Sequence, residues 1–153
     1  MPSSKVDQEF LAAALEEAHL AADHDDVPVG AVVVKDGRII GRGHNRREAD
    51  RDPSAHAEIV AIREAARTVG HWNLTGCTLY VTLEPCPMCA GAAVLSRLKE
   101  MVYGATDPKG GALSLGIPLL DHPKLNHRVK TRLVPLEEGA ALLRDFFRKK
   151  RAR

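Results

Sequence analysis

Apolar residues near the start of the chain fall at three- and four-residue spacing: Phe10, Leu11, Ala14, Leu15, Ala18 and Ala22. That period sets them on one stripe of an amphipathic helix opening near Asp7, whose side chain is suited to cap it. The pattern then changes. Val29 to Val34 is a short β-branched run, Asp36-Gly37 follows, and Arg38 to Gly41 begins a second extended segment. Asp-Gly accepts the positive φ values of a tight turn, so the two segments read as a hairpin. Residues 45–54 are polar and end in Asp52-Pro53-Ser54, a loop that delivers a helix N-terminus. Ala55 to Val69 reads as that helix, with Ile59, Ile62 and Ala66 on its apolar stripe.

Thr78 to Leu83 reads as a strand, and Glu84-Pro85-Cys86 follows, where proline suits the first turn of a helix running to about Leu98. Glu100 to Gly104 is a further strand. Residues 105–127, rich in Gly, Pro, Asp and His, are too many for a plain connection, and such loops usually carry function. Arg128 to Leu133 reads as a last strand and Pro135 to Lys150 as a closing helix. Helices alternating with strands after a hairpin predict a layered α/β domain with a mixed sheet of roughly five strands. A single domain over residues 1–153 is expected, with a basic tail at about 148–153.

Composition narrows the class. Hydrophobic residues make up 44% and charged residues 27%, the balance of a soluble globular chain. No apolar run approaches a membrane span, and the N-terminal residues lack the apolar core of a secretion signal, so a cytoplasmic protein with no membrane partner is expected. Cys77, Cys86 and Cys89 are odd in number and irregular in spacing, which suits metal chemistry in a reducing compartment better than disulfides. The net charge of +2 is unevenly spread. The last ten residues hold six basic side chains and one acidic, and the remaining 143 carry 16 basic against 19 acidic, a net of −3. This is either an electrostatic footprint for phosphates or a solvated helix end suited to the helix dipole.

The chemistry-bearing residues are His56 and Glu58 in "AHAEIVAI" and Cys86 and Cys89 in "LEPCPMCAG". Both groups open predicted helices. Cysteines three apart present their sulfurs on one face of a helical turn, and a helix N-terminus favours the thiolate that a metal requires. His56 adds a nitrogen ligand suited to zinc. Three protein ligands leave a tetrahedral ion one open position, the mark of a catalytic rather than a structural site. Cys77 as a fourth ligand would close the site; nine residues away and outside any motif, it reads better as a small apolar side chain. Glu58, two residues from His56, points to a different side and is placed to handle protons at the open position.

His-x-Glu followed by Pro-Cys-x-x-Cys is the signature of zinc-dependent cytidine and adenosine deaminases. Beyond it, "VPVGAVVV", "HNR", "DPSAHAEI", "LYVTLEPCPMCAGA", "YGATDPKGGA", "HPKLNHRV" and "LLRDFF" resemble, in order, the bacterial transfer RNA adenosine-34 deaminases of the TadA type. The resemblance runs from about Phe10 to Arg148. It implies a three-layer α/β/α fold, a homodimer, one zinc per subunit, and inosine formation at the wobble position of an arginine transfer RNA, in the anticodon loop. It also implies His56, Cys86 and Cys89 as zinc ligands and Glu58 as proton shuttle. His44 departs from the family, which often has tryptophan there, and the long polar C-terminal extension of some members is missing.

Further candidates surround that centre. Asn45 is expected to line the pocket, as such an asparagine does in the family. Val27 to Gly30 resemble the strand start whose amides approach substrate; alternatively Gly30 eases a close chain crossing. Asp107 is a substrate contact or a turn aspartate before Pro108. His122, Asn126, His127 and Arg128 form a polar cluster able to touch nucleotides, or Asn126 and His127 brace the long loop. Phe146 and Phe147 are adjacent on a helix and point apart; each leans towards the core, with Phe147 the candidate for stacking on an unpaired base. Two rival functions stand: a deaminase of a free base or nucleotide such as cytosine, guanine or deoxycytidylate, and a non-catalytic RNA-binding or structural zinc domain.

Overall fold

A computed structural model describes residues 4–152. The first helix, α1 (Lys5–Asp23), is capped by Ser4 and not by Asp7. The Ser4 hydroxyl accepts from the Asp7 N–H at 3.1 Å, and the Asp7 carboxylate accepts from the Ser4 N–H at 3.3 Å, a reciprocal capping box. Strands β1 (Gly30–Lys35) and β2 (Arg38–His44) form the expected hairpin, with Asp36 and Gly37 both at positive φ. A single helical turn, α2 (Arg47–Asp50), interrupts the predicted polar loop. It forms because the buried Asp26 carboxylate accepts from the Glu48 and Ala49 N–H groups at 2.9 and 3.4 Å. Then follow α3 (Ala57–Val69), β3 (Thr78–Val81), α4 (Pro87–Leu95), β4 (Glu100–Tyr103), β5 (Lys130–Leu133) and α5 (Glu137–Arg151). Helix α4 stops short of Leu98, and Arg97 turns the chain at φ 66°.

The five strands run in the order β2-β1-β3-β4-β5. β1 is antiparallel to β2 and β3, whereas β3, β4 and β5 are mutually parallel, so the sheet is mixed as expected. Alternate residues divide between its faces. Ala31, Val33, Leu79, Val81 and Met101 pack against α3 and α4, and Val32, Val34, Tyr80 and Val102 pack against Phe10 and Leu11 of α1. The result is three layers. No helix among the described residues is long and apolar enough to cross a membrane.

The buried stripe of α3 is Ala57, Ala61 and Ala65, in place of the predicted Ile59, Ile62 and Ala66, which are only half-buried. The cause lies across the interface. A Cβ at Gly41 would collide with the Ala61 carbonyl and one at Gly43 with the Ala57 carbonyl, so β2 meets α3 backbone to backbone. Larger side chains do not fit between them. On the opposite face Asp7 is 4% exposed and saturated. It accepts from the Tyr80 hydroxyl at 2.9 Å and from two Arg132 nitrogens at 2.9 and 3.0 Å, and Arg132 also reaches Glu100. The Arg132 bonds above all hold the Asp7 carboxyl well below its usual range, against the pull of burial.

Candidate active site

Helices α3 and α4 lie on one face of the sheet, and their N-termini meet. His56 occupies the N-cap of α3, Cys86 the N-cap of α4, and Cys89 the first turn of α4. The His56 Nδ1 atom lies 3.5 Å from the Cys86 sulfur and 3.6 Å from the Cys89 sulfur. All three donor atoms fall within 4.8 Å of one another. Zinc bonds of about 2.3 Å to sulfur and about 2.0–2.1 Å to nitrogen, at tetrahedral angles, put nitrogen and sulfur about 3.5 Å apart. The donor set therefore fits a zinc ion in both chemistry and spacing. Cys77 is buried in the core among Leu74, Leu79 and Leu98 and is not part of this group; burial pushes its thiol up, as suits an apolar role.

The donors also shift one another's protonation. The Cys86 thiol is drawn down to about 4, chiefly by the hydrogen bond from Cys89 and further by His56, against the cost of burial. The same bond, with burial, pushes the Cys89 thiol up, and the bond to Cys86 raises His56. Glu58, in the first turn of α3, is 4% exposed. Burial pushes its carboxyl up to about 7, with Cys86 adding to the effect and His56 opposing it. A carboxyl poised near neutrality both takes and returns a proton, the property a general acid–base needs.

His56, Glu58 and Cys86 lie on the wall of a cavity of about 940 Å³ that also involves the loops after β3 and β4, with Cys89 buried behind it. That position, outside the carboxyl ends of parallel strands, is where α/β sheets commonly bind ligands. Asn45 is buried on this wall. Its Oδ1 accepts from the Ala57 N–H at 2.8 Å, so the carboxamide caps α3 through its oxygen. Val27 and Val29 line the cavity, but the Gly30 N–H is spent on the Thr82 hydroxyl at 3.2 Å. Any Cβ on Gly30 would meet the Ala14 carbonyl, so this glycine serves the chain crossing.

Asp107 takes the turn role, at a position on the cavity wall. Its Oδ1 accepts from the Gly110 N–H at 3.1 Å. Phe147 also lines it and is 44% exposed, while Phe146 is half-buried, edge-on to Phe147 at 5.5 Å. Neither is a core residue as expected, because the fully buried positions of α5 are Gly139 and Leu143. His122 and Asn126 are not brought to this wall. The His122 Nδ1 accepts from the Lys124 N–H within its own turn, Asn126 is exposed on the same loop, and the His127 ring bonds the Leu98 carbonyl at 2.6 Å and braces that loop.

Three contributors escape the motif-based reading. Glu84 is 3% exposed and lines the cavity. Burial works to raise its carboxyl, but hydrogen bonds from Ser114, Asp107 and Leu113 prevail and leave it below the usual range. Arg47 and Lys109 are exposed residues lining the same cavity, to which α5 supplies Arg144, Arg148 and Arg151. A charge within a polar loop gave no signal for Arg47. For Glu84 the available hint was an acidic residue inside an apolar strand end.

A sheet of this order, with histidine and two cysteines at facing helix N-termini and a buried glutamate beside them, defines a deaminase of the nucleobase type, and residues 6–151 match the MafB19-like deaminase family. The tRNA-specific adenosine deaminase of Aquifex aeolicus (strain VF5) is 51% identical over 142 residues, covering 93% of this chain and 94% of its own. That of Bacillus subtilis (strain 168) is 47% identical over 146 residues, covering 95% and 91%. The chain belongs to the tRNA-specific adenosine deaminase family, and it is an enzyme. A solved structure from work on A-to-I editing by tRNA:A34 deaminases at the wobble position of transfer RNA superimposes with a TM-score of 0.84 at 44% identity, over 89% of this chain and 99% of that one. The guanine deaminase from Bacillus subtilis gives 0.63 at 34% identity, over 92% and 93%.

Proposed function

We propose that this chain, as one deaminase domain, hydrolyses the C6 amino group of adenosine at wobble position 34 of a transfer RNA, an arginine transfer RNA being the first candidate. It works as a cytoplasmic homodimer and releases inosine and ammonia. His56, Cys86 and Cys89 would hold one zinc ion per subunit, which when bound supplies an activated water at neutral pH. Glu58 moves the protons. It accepts one from the attacking water, gives it to N1 of the purine, then delivers the hydroxyl proton of the adduct to the departing amine. The NH2 of Asn45 and the turn at Asp107 orient the nucleoside, and Phe147 offers a face for a neighbouring unpaired base. An anticodon loop suits such a pocket because its bases are already unpaired.

The observation that carries the reading is the pairing of a buried, near-neutral Glu58 and a three-ligand centre with a rim of five cationic side chains, Arg47, Lys109, Arg144, Arg148 and Arg151. A free base has no phosphate for those cations to meet, and a mononucleotide has one phosphate group for five of them. The test is ammonia release from an anticodon stem-loop carrying adenosine at position 34, with inosine mapped in the product. Turnover of free guanine, cytosine or deoxycytidylate at comparable efficiency without RNA would replace this reading with the free-base one.

A further inference from the structure

Glu84 makes no contact in the proposed chemistry, yet it is among the most completely hydrogen-bonded carboxylates in the chain. Its Oε1 accepts from the Asp107 N–H at 3.0 Å and from the Ser114 hydroxyl at 2.6 Å, and its Oε2 accepts from the Ser114 N–H at 2.8 Å. The backbone on either side joins in. The Glu84 N–H donates to the Ala105 carbonyl at 2.8 Å, and the Ala112 N–H donates to the Pro85 carbonyl at 2.9 Å. Gly111 lies directly on the carboxylate, so a Cβ there would collide with Oε2. Residues 84–85 thus fasten the loop 105–114 at both ends, and one residue later Cys86 begins α4.

That loop presents Asp107 and Lys109 to the cavity. We infer that Glu84 is a positioning residue that locks the 105–114 loop against the N-terminus of α4, so that the metal-ligand helix and the substrate-contacting loop keep one fixed spacing. The inference rests on the reading of the cavity as an adenosine site in RNA. Its physical content is preorganisation: a loop already ordered does not spend binding energy on ordering itself when substrate arrives.

Glu84→Gln isolates the effect. Oε1 and Oε2 each face a backbone N–H, so either orientation of a carboxamide sets its NH2 against a donor. The folded variant should keep its zinc, about one per chain. Amide hydrogen exchange at Asp107 and Ser114 should accelerate at least about tenfold in the free protein, and KM for the stem-loop should rise about 10–100-fold with kcat changed only a few-fold. Combined with Lys109→Ala, the two losses should be less than additive, because a released loop no longer aims Lys109. Ser114→Ala, which removes only the hydroxyl donor, should move KM the same way by a smaller factor and serves if Glu84→Gln does not fold.

Faster exchange with unchanged KM in these variants would overturn the inference, since the fastening would then have no bearing on substrate. Loss of zinc together with kcat would also overturn it and make Glu84 a support of the metal centre alone. If the wild-type chain does not turn over the stem-loop, the adenosine-in-RNA reading fails, and the positioning role built on it goes with it, whereas unaltered exchange at Asp107 and Ser114 in Glu84→Gln rejects the fastening by itself.

Discussion

The two faces of the sheet each bury a carboxylic acid, and the two acids are treated in opposite ways. On the α1 face Asp7 receives hydrogen bonds from Tyr80, Arg132 and the Ser4 backbone, and its proton is held off far into the acid range. On the α3 face Glu58 is as deeply buried, but desolvation outweighs its compensation and its proton is retained up to about 7. A buried carboxylate held by charge-assisted donors is a structural tie, whereas one whose hydrogen bonds do not offset its desolvation has the property that proton transfer at neutral pH requires. Glu84 belongs with Asp7 in this respect even though it lies beside the cavity.

The sharpest way to break the contrast is to remove function without removing structure. Cys86→Ala or Cys89→Ala should lose metal and activity together, and Cys77→Ala should keep both; metal analysis beside an ammonia assay reads this directly. Glu58→Ala should retain zinc and fold while losing at least about 10²–10⁴ in kcat. An active Glu58→Ala would mean that another group moves the protons. Glu58→Gln should be inactive yet as stable as wild type, or more so by up to about 2 kcal/mol, since the desolvation cost of a carboxylate is gone.

Asp7→Asn should do the reverse, leaving kcat intact and lowering stability by about 2–3 kcal/mol in urea titrations at neutral pH. The pH dependence gives a finer check. The folded-state pKa of Asp7 is depressed, so its contribution is complete above the unfolded value of about 3.9 and is lost as pH falls towards the folded one. The stability gap between wild type and Asp7→Asn should therefore close below about pH 4. A gap that stayed constant down to pH 2 would place the contribution elsewhere in the network.

How far the sequence disclosed this contrast depends on the separation of the partners. His56, Glu58, Cys86 and Cys89 were legible because each pair is local and sits at a helix start whose geometry fixes where the side chains point. The hairpin and the mixed sheet were legible from Asp36-Gly37 and from the alternation of periods. The tie of Glu84 to Asp107 and Ser114, and the capping of α3 by Asn45, span 12 to 30 residues and depend on strand order, which no local pattern contains. The alanine stripe of α3 was missed for the same reason: the glycines that demand it are on β2.

The smallest expected effect concerns the rim. The structure extends α5 to Arg151, so most of the expected basic tail is helix, with Arg153 outside the described residues. Arg144 pairs with Glu137 and Arg148 with Asp145, whereas Arg151 lines the cavity with no such pair among the described ion pairs. Arg151→Ala should flatten the log–log salt slope for stem-loop binding by about 0.7, one phosphate contact on a single strand, and Lys149→Ala should leave it unchanged. Equal slopes for both variants would make the end of α5 a diffuse positive field instead of a set of contacts.

The order of elements along the chain also sets an order in time. His56, Glu58, Cys86 and Cys89 and the first four strands are all synthesised by residue 103, while β5 and the helix bearing Arg144, Phe147 and Arg151 come last. Protein synthesis proceeds from the N-terminus at about 5–20 residues per second. For a few seconds on the ribosome the nascent chain thus holds the groups proposed for the chemistry and lacks one wall of the cavity in which they would work.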